Sequence, residues 1–172
     1  MSETRLDTRV LSEVAILVAL ATVLSYIRFV VFPQGGSVTL ASMVPLVILS
    51  YRRGWKVGIF ACLVYGLIQF YQDPWMLNWA QFILEYPVAF GVIGLAGLFK
   101  GKELIGAVVG LGSRFLAHTL AGVVFWSEYA PPGMSPILYS IIYNGSYMLP
   151  EIVISGVFVY ALMKRGILEM NL

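Results

Sequence analysis

Six long apolar stretches, separated by charged residues or by proline and glycine, occupy most of the 172-residue sequence. A helix needs about 20 predominantly apolar residues to cross the hydrocarbon core of a bilayer. Hydrophobic residues make up 59% of the chain and charged residues 12%, against about 45–50% and about 25% in soluble domains. We therefore expect an all-α integral membrane protein that forms a single domain over residues 1–172.

Turn residues and charges predict where the helices end. Six transmembrane helices are predicted over residues 7–31, 38–51, 55–71, 78–99, 103–126 and 135–164. The first follows basic residues, as the apolar part of a signal peptide would, but it has no clear small-residue cleavage site. We expect it to be retained as a membrane span.

Basic residues fall in alternate loops of this prediction. They precede helix 1, join helices 2 and 3, join helices 4 and 5, and follow helix 6: Arg5, Arg9, Arg52, Arg53, Lys56, Lys100, Lys102, Lys164 and Arg165. Because basic loops stay in the cytoplasm, both termini are predicted to lie in the cytoplasm. Arg28 lies near the outer end of helix 1 and is expected to reach the lipid headgroups.

Several classes of function are not expected from this composition. A net charge of +2 in small basic clusters does not suit nucleic acid. A single cysteine, Cys62, excludes an internal disulfide and a cysteine-based metal site. With one histidine and no G-x-S-x-G motif, we expect no catalytic residues, no metal and no enzyme activity. The sequence has no G-x-x-x-x-G-K-[ST] loop, so uphill transport would need an ion gradient or another subunit.

Three polar side chains on different predicted helices fall at one depth in the outer half of the membrane. A rise of about 1.5 Å per residue brings Glu85, His118 and Asn144 to that layer. Ionisable groups are costly in hydrocarbon and mark ligand or ion pathways. We expect these three side chains to face one cavity that opens outward.

The fifth predicted helix carries a stripe of residues spaced four apart, Arg114, His118, Gly122 and Trp126. The stripe is expected to line one wall of the cavity, with Gly122 leaving room for a ligand to approach the backbone. Aromatic residues surround the layer, namely Trp75, Trp79, Tyr86, Trp126, Tyr129, Tyr139, Tyr143 and Tyr147. A carboxylate among aromatic rings suits an organic cation, and the amide and hydroxyl groups suit a heterocycle.

Some of these residues have a second interpretation. Trp75, Trp79 and Tyr129 could belong to an interfacial aromatic belt. Arg114 could pair with Glu151, which follows a proline and is expected to have a structural role. On helix 1 a face of small residues that includes Ala15 and Ala19 serves either internal packing or docking to another protein.

Four groups of residues carry a resemblance to a known family. They are Leu84-Glu85-Tyr86-Pro87 with Ala89-Phe90-Gly91, Arg114-Phe115 with His118, Gly122 and Trp126, Tyr129-Ala130-Pro131, and Tyr139-Ser140 with Tyr143-Asn144. On these the chain resembles, over essentially its whole length, the thiamine-specific S components of energy-coupling factor transporters, the ThiT/YuaJ family.

The resemblance implies a six-helix bundle that binds thiamine from outside, in a pocket of helices 4 to 6 closed by the loop between helices 1 and 2. It implies a complex with a membrane scaffold subunit and two cytoplasmic ATPases, docked through Ala15 and Ala19, and no cofactor besides the ligand. The residues that match the family's ligand contacts are Glu85, Tyr86, His118, Gly122, Trp126, Tyr139 and Asn144. Arg114 stands where the family can have a lysine. The first outer loop lacks an aromatic residue that some relatives have there, and Trp75 is assigned that stacking role.

Thiamine joins a cationic thiazolium ring to an aminopyrimidine. We expect Glu85 to act as charge partner or as pyrimidine acceptor, Trp126 to stack, and His118, Tyr139 and Asn144 to orient the ligand. The alternatives are an S component for another vitamin and a self-sufficient, proton-coupled vitamin transporter.

Overall fold

The computed structural model describes residues 7–167 and is helical apart from one hairpin. Its elements are α1 (Thr8–Ser25), β1 (Arg28–Val31), β2 (Ser37–Thr39), α2 (Val44–Arg53), α3 (Trp55–Gln72), α4 (Trp79–Leu98), α5 (Glu103–Phe125) and α6 (Pro136–Lys164). A short 3-10 turn, Ser127–Tyr129, follows α5. The basic residue Arg5, used above to orient the first helix, lies outside the described residues.

Four of these helices, α1, α4, α5 and α6, are long and apolar enough to cross a membrane. The chain is thus a mostly helical membrane protein, as its composition predicts. With 10 residues, α2 is about 15 Å long, roughly half the thickness of a bilayer core. Six membrane spans and cytoplasmic termini stay predictions.

The region between the first two helices differs from the prediction. Helix α1 ends at Ser25 rather than at residue 31, and Arg28–Val31 pairs antiparallel with Ser37–Thr39. The turn between the strands closes through hydrogen bonds from Gly35 N to Phe32 O, 3.0 Å, and from Phe32 N to Gly36 O, 2.7 Å. Aromatic and β-branched residues favour strands, and a short apolar run cannot be assigned to helix or strand by periodicity alone.

The second helix starts later than predicted for the same reason. Residues 38 and 39 belong to β2, so α2 begins at Val44 and not at residue 38. The ends of the other four helices lie within one residue of their predicted positions.

Helix α4 is continuous but not uniform. A π-helical turn, Leu84–Val88, contains Pro87 and interrupts the α-helix, and a 3-10 segment, Val92–Leu98, ends it. Side chains three apart align on a 3-10 helix. Gly94 and Gly97 therefore share one face, where added β-carbons would lie 2.2 Å from Ile59 N and 2.3 Å from Ser50 O. These glycines allow α4 to pack against the backbones of α2 and α3.

All six helices contribute to the main apolar core, in which Leu46, Leu49, Tyr65 and Ile93 are fully buried. At the end of the bundle away from the hairpin, Glu13 of α1 binds Arg52 at 2.5 Å and also binds Arg53. At the other end Val38 of the hairpin packs on α6 through Tyr147 and Met148.

Candidate ligand-binding cavity

A cavity, here called the hairpin cavity, lies between the turn of the hairpin, the end of α3, and helices α4, α5 and α6. The nine residues predicted to bind a ligand all line it: Trp75, Glu85, Tyr86, Arg114, His118, Gly122, Trp126, Tyr139 and Asn144. Trp79 and Tyr129, from the predicted aromatic set, are 72% and 45% exposed and are not among its lining residues. The structure therefore brings the predicted residues together, and their contact with a ligand stays a prediction.

Glu85 occupies the π-helical turn of α4, which presents its carboxylate to α5. Trp126 Nε1 donates to Glu85 Oε1 at 2.6 Å, and the amide of Gln81 donates to Oε2. A carboxylate can accept about four hydrogen bonds, so capacity remains for a ligand. No basic side chain lies within 4.0 Å of Glu85 in residues 7–167.

The neighbouring residue Tyr86 supports the wall of the cavity. Its hydroxyl donates to Asp73 O at 2.7 Å and accepts from Trp75 N at 3.1 Å. These bonds fix the segment between α3 and α4, which carries Trp75. The indole rings of Trp75 and Trp126 meet edge to face, with centroids 6.1 Å apart.

Trp75 also lies beside the hairpin, because a β-carbon on Gly35 would be 3.7 Å from its indole ring. Residues 33–37 at the tip of the hairpin contain no aromatic side chain, and the ring of Phe32 packs on Tyr143 and Tyr147. This placement supports the assignment of Trp75 as the residue that supplies an aromatic face to the first outer loop.

Arg114 lies on the α5 wall, surrounded by neutral groups. Its Nε donates to His118 Nε2 at 3.3 Å, its Nη1 lies 3.3 Å from Met43 Sδ, and its guanidinium lies 4.2 Å from the centroid of the Phe90 ring. The alternative pairing with Glu151 is wrong: that carboxylate instead accepts hydrogen bonds from the backbone N and the hydroxyl of Thr39, each 2.8 Å long.

Arg28, which was expected to reach the lipid headgroups, forms an ion pair that the sequence did not predict. Its Nη1 lies 2.8 Å from Asp73 Oδ2, and both residues line the cavity. The ion pair forms because the chain turns into the hairpin at this point and brings Arg28 to the end of α3. Of the four charged residues that line the cavity, Arg28 and Asp73 neutralise one another, whereas Glu85 and Arg114 have no oppositely charged partner within 4.0 Å in the described part of the chain.

Asn144 lies where α5 and α6 touch and is almost fully committed to neighbouring groups. Its Nδ2 donates to Ser140 O at 2.9 Å and to His118 O at 3.3 Å, and its Oδ1 accepts from Tyr147 OH at 2.6 Å. An amide oxygen has two lone pairs. One acceptor position of Asn144 therefore remains for a ligand.

Gly122 lines the cavity as predicted and also has a packing role that the sequence did not indicate. A β-carbon at this position would lie 2.1 Å from Ser140 Oγ, so the space beside the glycine is filled by α6. Gly122 is needed for the close contact between α5 and α6, which in turn positions Asn144.

The cavity includes residues that were not predicted to contact a ligand. Phe90, Ser140, Gln69 and the turn residues 34–37 line it, and Gln81 binds Glu85 from behind the wall. The spacing of four residues between Gln81 and Glu85 places both on one face of a helix. That spacing was the only indication of their contact in the sequence.

The fold defines a helical membrane protein whose polar side chains converge on one cavity. Comparison with known proteins gives its family. Residues 11–169 match the family model described as "Thiamine transporter protein (Thia_YuaJ)". The chain belongs to this thiamine transporter family, as the resemblance predicted. The family consists of transport proteins, so the prediction that the chain is not an enzyme is also confirmed.

Individual relatives are similar along most of their length. Thiamine transporter ThiT of Bacillus subtilis (strain 168) is 36% identical over 171 residues, which cover 86% of this chain and 86% of that protein. ThiT of Lacticaseibacillus paracasei is 33% identical, over 90% of this chain and 86% of the relative. A solved structure of ThiT from Listeria monocytogenes matches with a TM-score of 0.81 at 31% identity and covers 91% of this chain and 93% of that one.

Proposed function

We propose that the chain is the thiamine-binding S component of an energy-coupling factor transporter, a multi-pass protein of the bacterial plasma membrane. The observation that carries the proposal is the Glu85 carboxylate, held beside the Trp126 indole in the hairpin cavity without a basic partner. A cation is attracted both by a carboxylate and by aromatic faces. The thiazolium ring of thiamine supplies that cation.

The aminopyrimidine ring fits the opposite wall of the cavity. Its exocyclic amine is a donor and suits the remaining acceptor position of Asn144, while its ring nitrogens are acceptors and suit Arg114. His118 and Tyr139 complete this wall, the latter with its ring stacked on Tyr143 at 6.0 Å. The hairpin covers the ligand, with Trp75 beside it.

Tryptophan fluorescence of the purified protein tests this proposal, because Trp75 and Trp126 both line the cavity. We expect saturable quenching by thiamine and a loss of affinity of about 10- to 100-fold in Glu85→Gln, since hydrogen bonds to charged groups are the stronger kind. Glu128→Gln, at an exposed carboxylate outside the cavity, is the matched control. If Glu85→Gln bound thiamine with an affinity within about threefold of that of the unaltered chain, Glu85 would not be the charge partner of the ligand.

We propose further that transport needs a scaffold subunit and two ATPases, because the chain has no phosphate-binding loop. Ala15 and Ala19 are exposed on α1 and offer a small-residue face to the scaffold. Liposomes with the chain alone should take up no thiamine, and liposomes with the full complex and ATP should. Uptake by the chain alone would favour the proton-coupled alternative, and tighter binding of a neutral vitamin than of thiamine would favour another substrate.

A further inference from the structure

Gln81 lies behind the cavity wall and is fully buried, with 0% of its surface exposed. Its Oε1 accepts from Leu77 N at 3.1 Å, and its Nε2 donates to Trp75 O at 3.1 Å and to Glu85 Oε2. All three partners belong to the segment that forms one side of the hairpin cavity. A buried amide with every group paired specifies one arrangement of its surroundings.

These partners fix the orientation of the amide. One partner is a backbone donor, and the other two, a carbonyl and a carboxylate, are acceptors. A flipped amide would set oxygen against oxygen twice, so only one orientation satisfies all three. The side-chain N–H groups of Gln81 therefore always point at Glu85 and at the backbone of Trp75.

Glu85 is consequently held at both oxygens, by Gln81 within α4 and by Trp126 across from α5. Two donors on different helices define the plane of the carboxylate. Gln81 also binds the backbone oxygen of Trp75, while Tyr86 binds its backbone nitrogen. One buried amide thus binds both the Glu85 carboxylate and the backbone of Trp75.

We propose that Gln81 is a positioning residue for recognition of the cationic ring. It orients the Glu85 carboxylate toward that ring, without touching the ligand. The inference rests on the proposed function, in which the thiazolium of thiamine meets Glu85.

Comparing the affinities of two ligands distinguishes a role in positioning the Glu85 carboxylate from a general role in stabilising the fold. One is thiamine, and the other is its isostere with a neutral thiophene ring in place of the thiazolium. In Gln81→Met, which keeps a long unbranched side chain, we expect about 10- to 100-fold weaker thiamine binding and an affinity for the neutral isostere within about threefold of the unaltered chain. Gln81→Asn, whose amide is one methylene shorter, should behave in the same way. Gln72→Leu, which removes an amide of α3 that does not touch Glu85, should leave the ratio of the two affinities unchanged.

A double-mutant cycle with Glu85→Gln completes the test. Once the carboxylate is absent, Gln81→Met should change thiamine affinity by less than about threefold, because contacting residues are not additive. The inference is overturned if Gln81→Met weakens both ligands equally, if it weakens neither, or if both Gln81 variants fail to give a folded monomer. If the unaltered chain does not bind thiamine, or Glu85→Gln has no effect, the proposed function itself fails.

Discussion

At Gly122 two walls of the hairpin cavity, α5 and α6, are in close contact. A β-carbon there would lie 2.1 Å from Ser140 Oγ and 3.3 Å from Asn144 Nδ2. Gly122→Ala should therefore separate α5 from α6 and displace Asn144, at a cost of about 1–3 kcal/mol for overpacking. Thermal unfolding in detergent should show the lower stability, and a thiamine titration should show weaker binding.

The matched control lies on the same helix. A β-carbon on Gly112 would meet nothing within 4 Å, and alanine favours a helix over glycine by about 1 kcal/mol. Gly112→Ala should leave the protein equally stable or slightly more stable, with unchanged binding. Equal destabilisation by both substitutions would mean that the contact with Ser140 is not the cause.

At the scale of residues, the ionisable groups of the cavity could be predicted from the sequence, but their hydrogen-bond partners could not. Ionisable groups are costly in a membrane, and this cost is the reason why a functional role was predicted for Glu85, His118 and Arg114. Gln81 carries no charge, and nothing in its neighbours predicts that it is fully buried. The partner of Arg114 was also unpredictable, because the choice between Glu151 and neutral groups depends on how β2 enters the bundle.

Among the elements, the hairpin was the least predictable. Residues 26–32 read Tyr-Ile-Arg-Phe-Val-Val-Phe and continue the apolar character of α1. They leave the helix because β1 pairs with β2, a partner several residues away, whereas periodicity reports only local structure. Most of the helix ends that were predicted within one residue lie beside glycine, proline, a charged residue or a capping side chain, which are local features.

The ion pair between Arg28 and Asp73 joins the hairpin to α3, with 24% and 42% of the two side chains exposed. Exposed pairs contribute about 0–1 kcal/mol to stability. Asp73→Asn should therefore barely alter the unfolding temperature. It should, however, speed dissociation of thiamine by roughly two- to fivefold, because it frees one edge of the hairpin. Stopped-flow fluorescence measures this rate.

Exchanging the two charges provides the control. Arg28→Asp combined with Asp73→Arg keeps a pair of opposite charges at the same place, and it should restore much of the slow dissociation. A dissociation rate that is the same in Asp73→Asn and in the unaltered chain would show that this pair does not hold the hairpin.

The buried attachment of the hairpin is Glu151, which receives two hydrogen bonds from Thr39. Glu151→Gln replaces one acceptor oxygen with a donor that faces another donor. We expect a loss of about 1.5–3 kcal/mol of stability. Peptides that span residues 28–41 should show faster hydrogen exchange by mass spectrometry, whereas Glu128→Gln at the exposed turn should not change it. Unchanged exchange in this segment would contradict an anchoring role for Glu151.

For the whole molecule, composition was enough to predict a helical membrane protein. The apolar content can be counted from the sequence without knowing which residues are in contact. The number of spans needs more, since α2 is short and its place in the bilayer depends on its neighbours. The structure also separates two regions: the cavity lies beside the hairpin, whereas Ala15 and Ala19 face outward from α1.

This separation predicts that docking and binding can be altered independently. Replacing Ala15 and Ala19 with tryptophan should leave thiamine affinity within about threefold, because neither residue lines the cavity. It should abolish uptake by the complete transporter, because small residues allow close helix contact in lipid. Val153→Trp, at an exposed position on α6, is the control and should leave uptake intact. Normal uptake by the double tryptophan variant would place the docking face elsewhere.

The π-helical turn of α4 sets the angle about the helix axis between the side chains that precede it and those that follow it. A π turn holds one more residue than the α-helical turn it replaces, so the segment that carries Gln81 is rotated relative to the glycine face at Gly94 and Gly97. An α-helix advances by about 100° per residue. Loss of a single residue from Leu84–Val88 would therefore rotate the part of α4 that carries Gln81 by about that angle. The packing of Gly94 and Gly97 would remain as it is. Ligand choice in this protein can thus evolve through the length of one turn while the contacts that hold the bundle together persist.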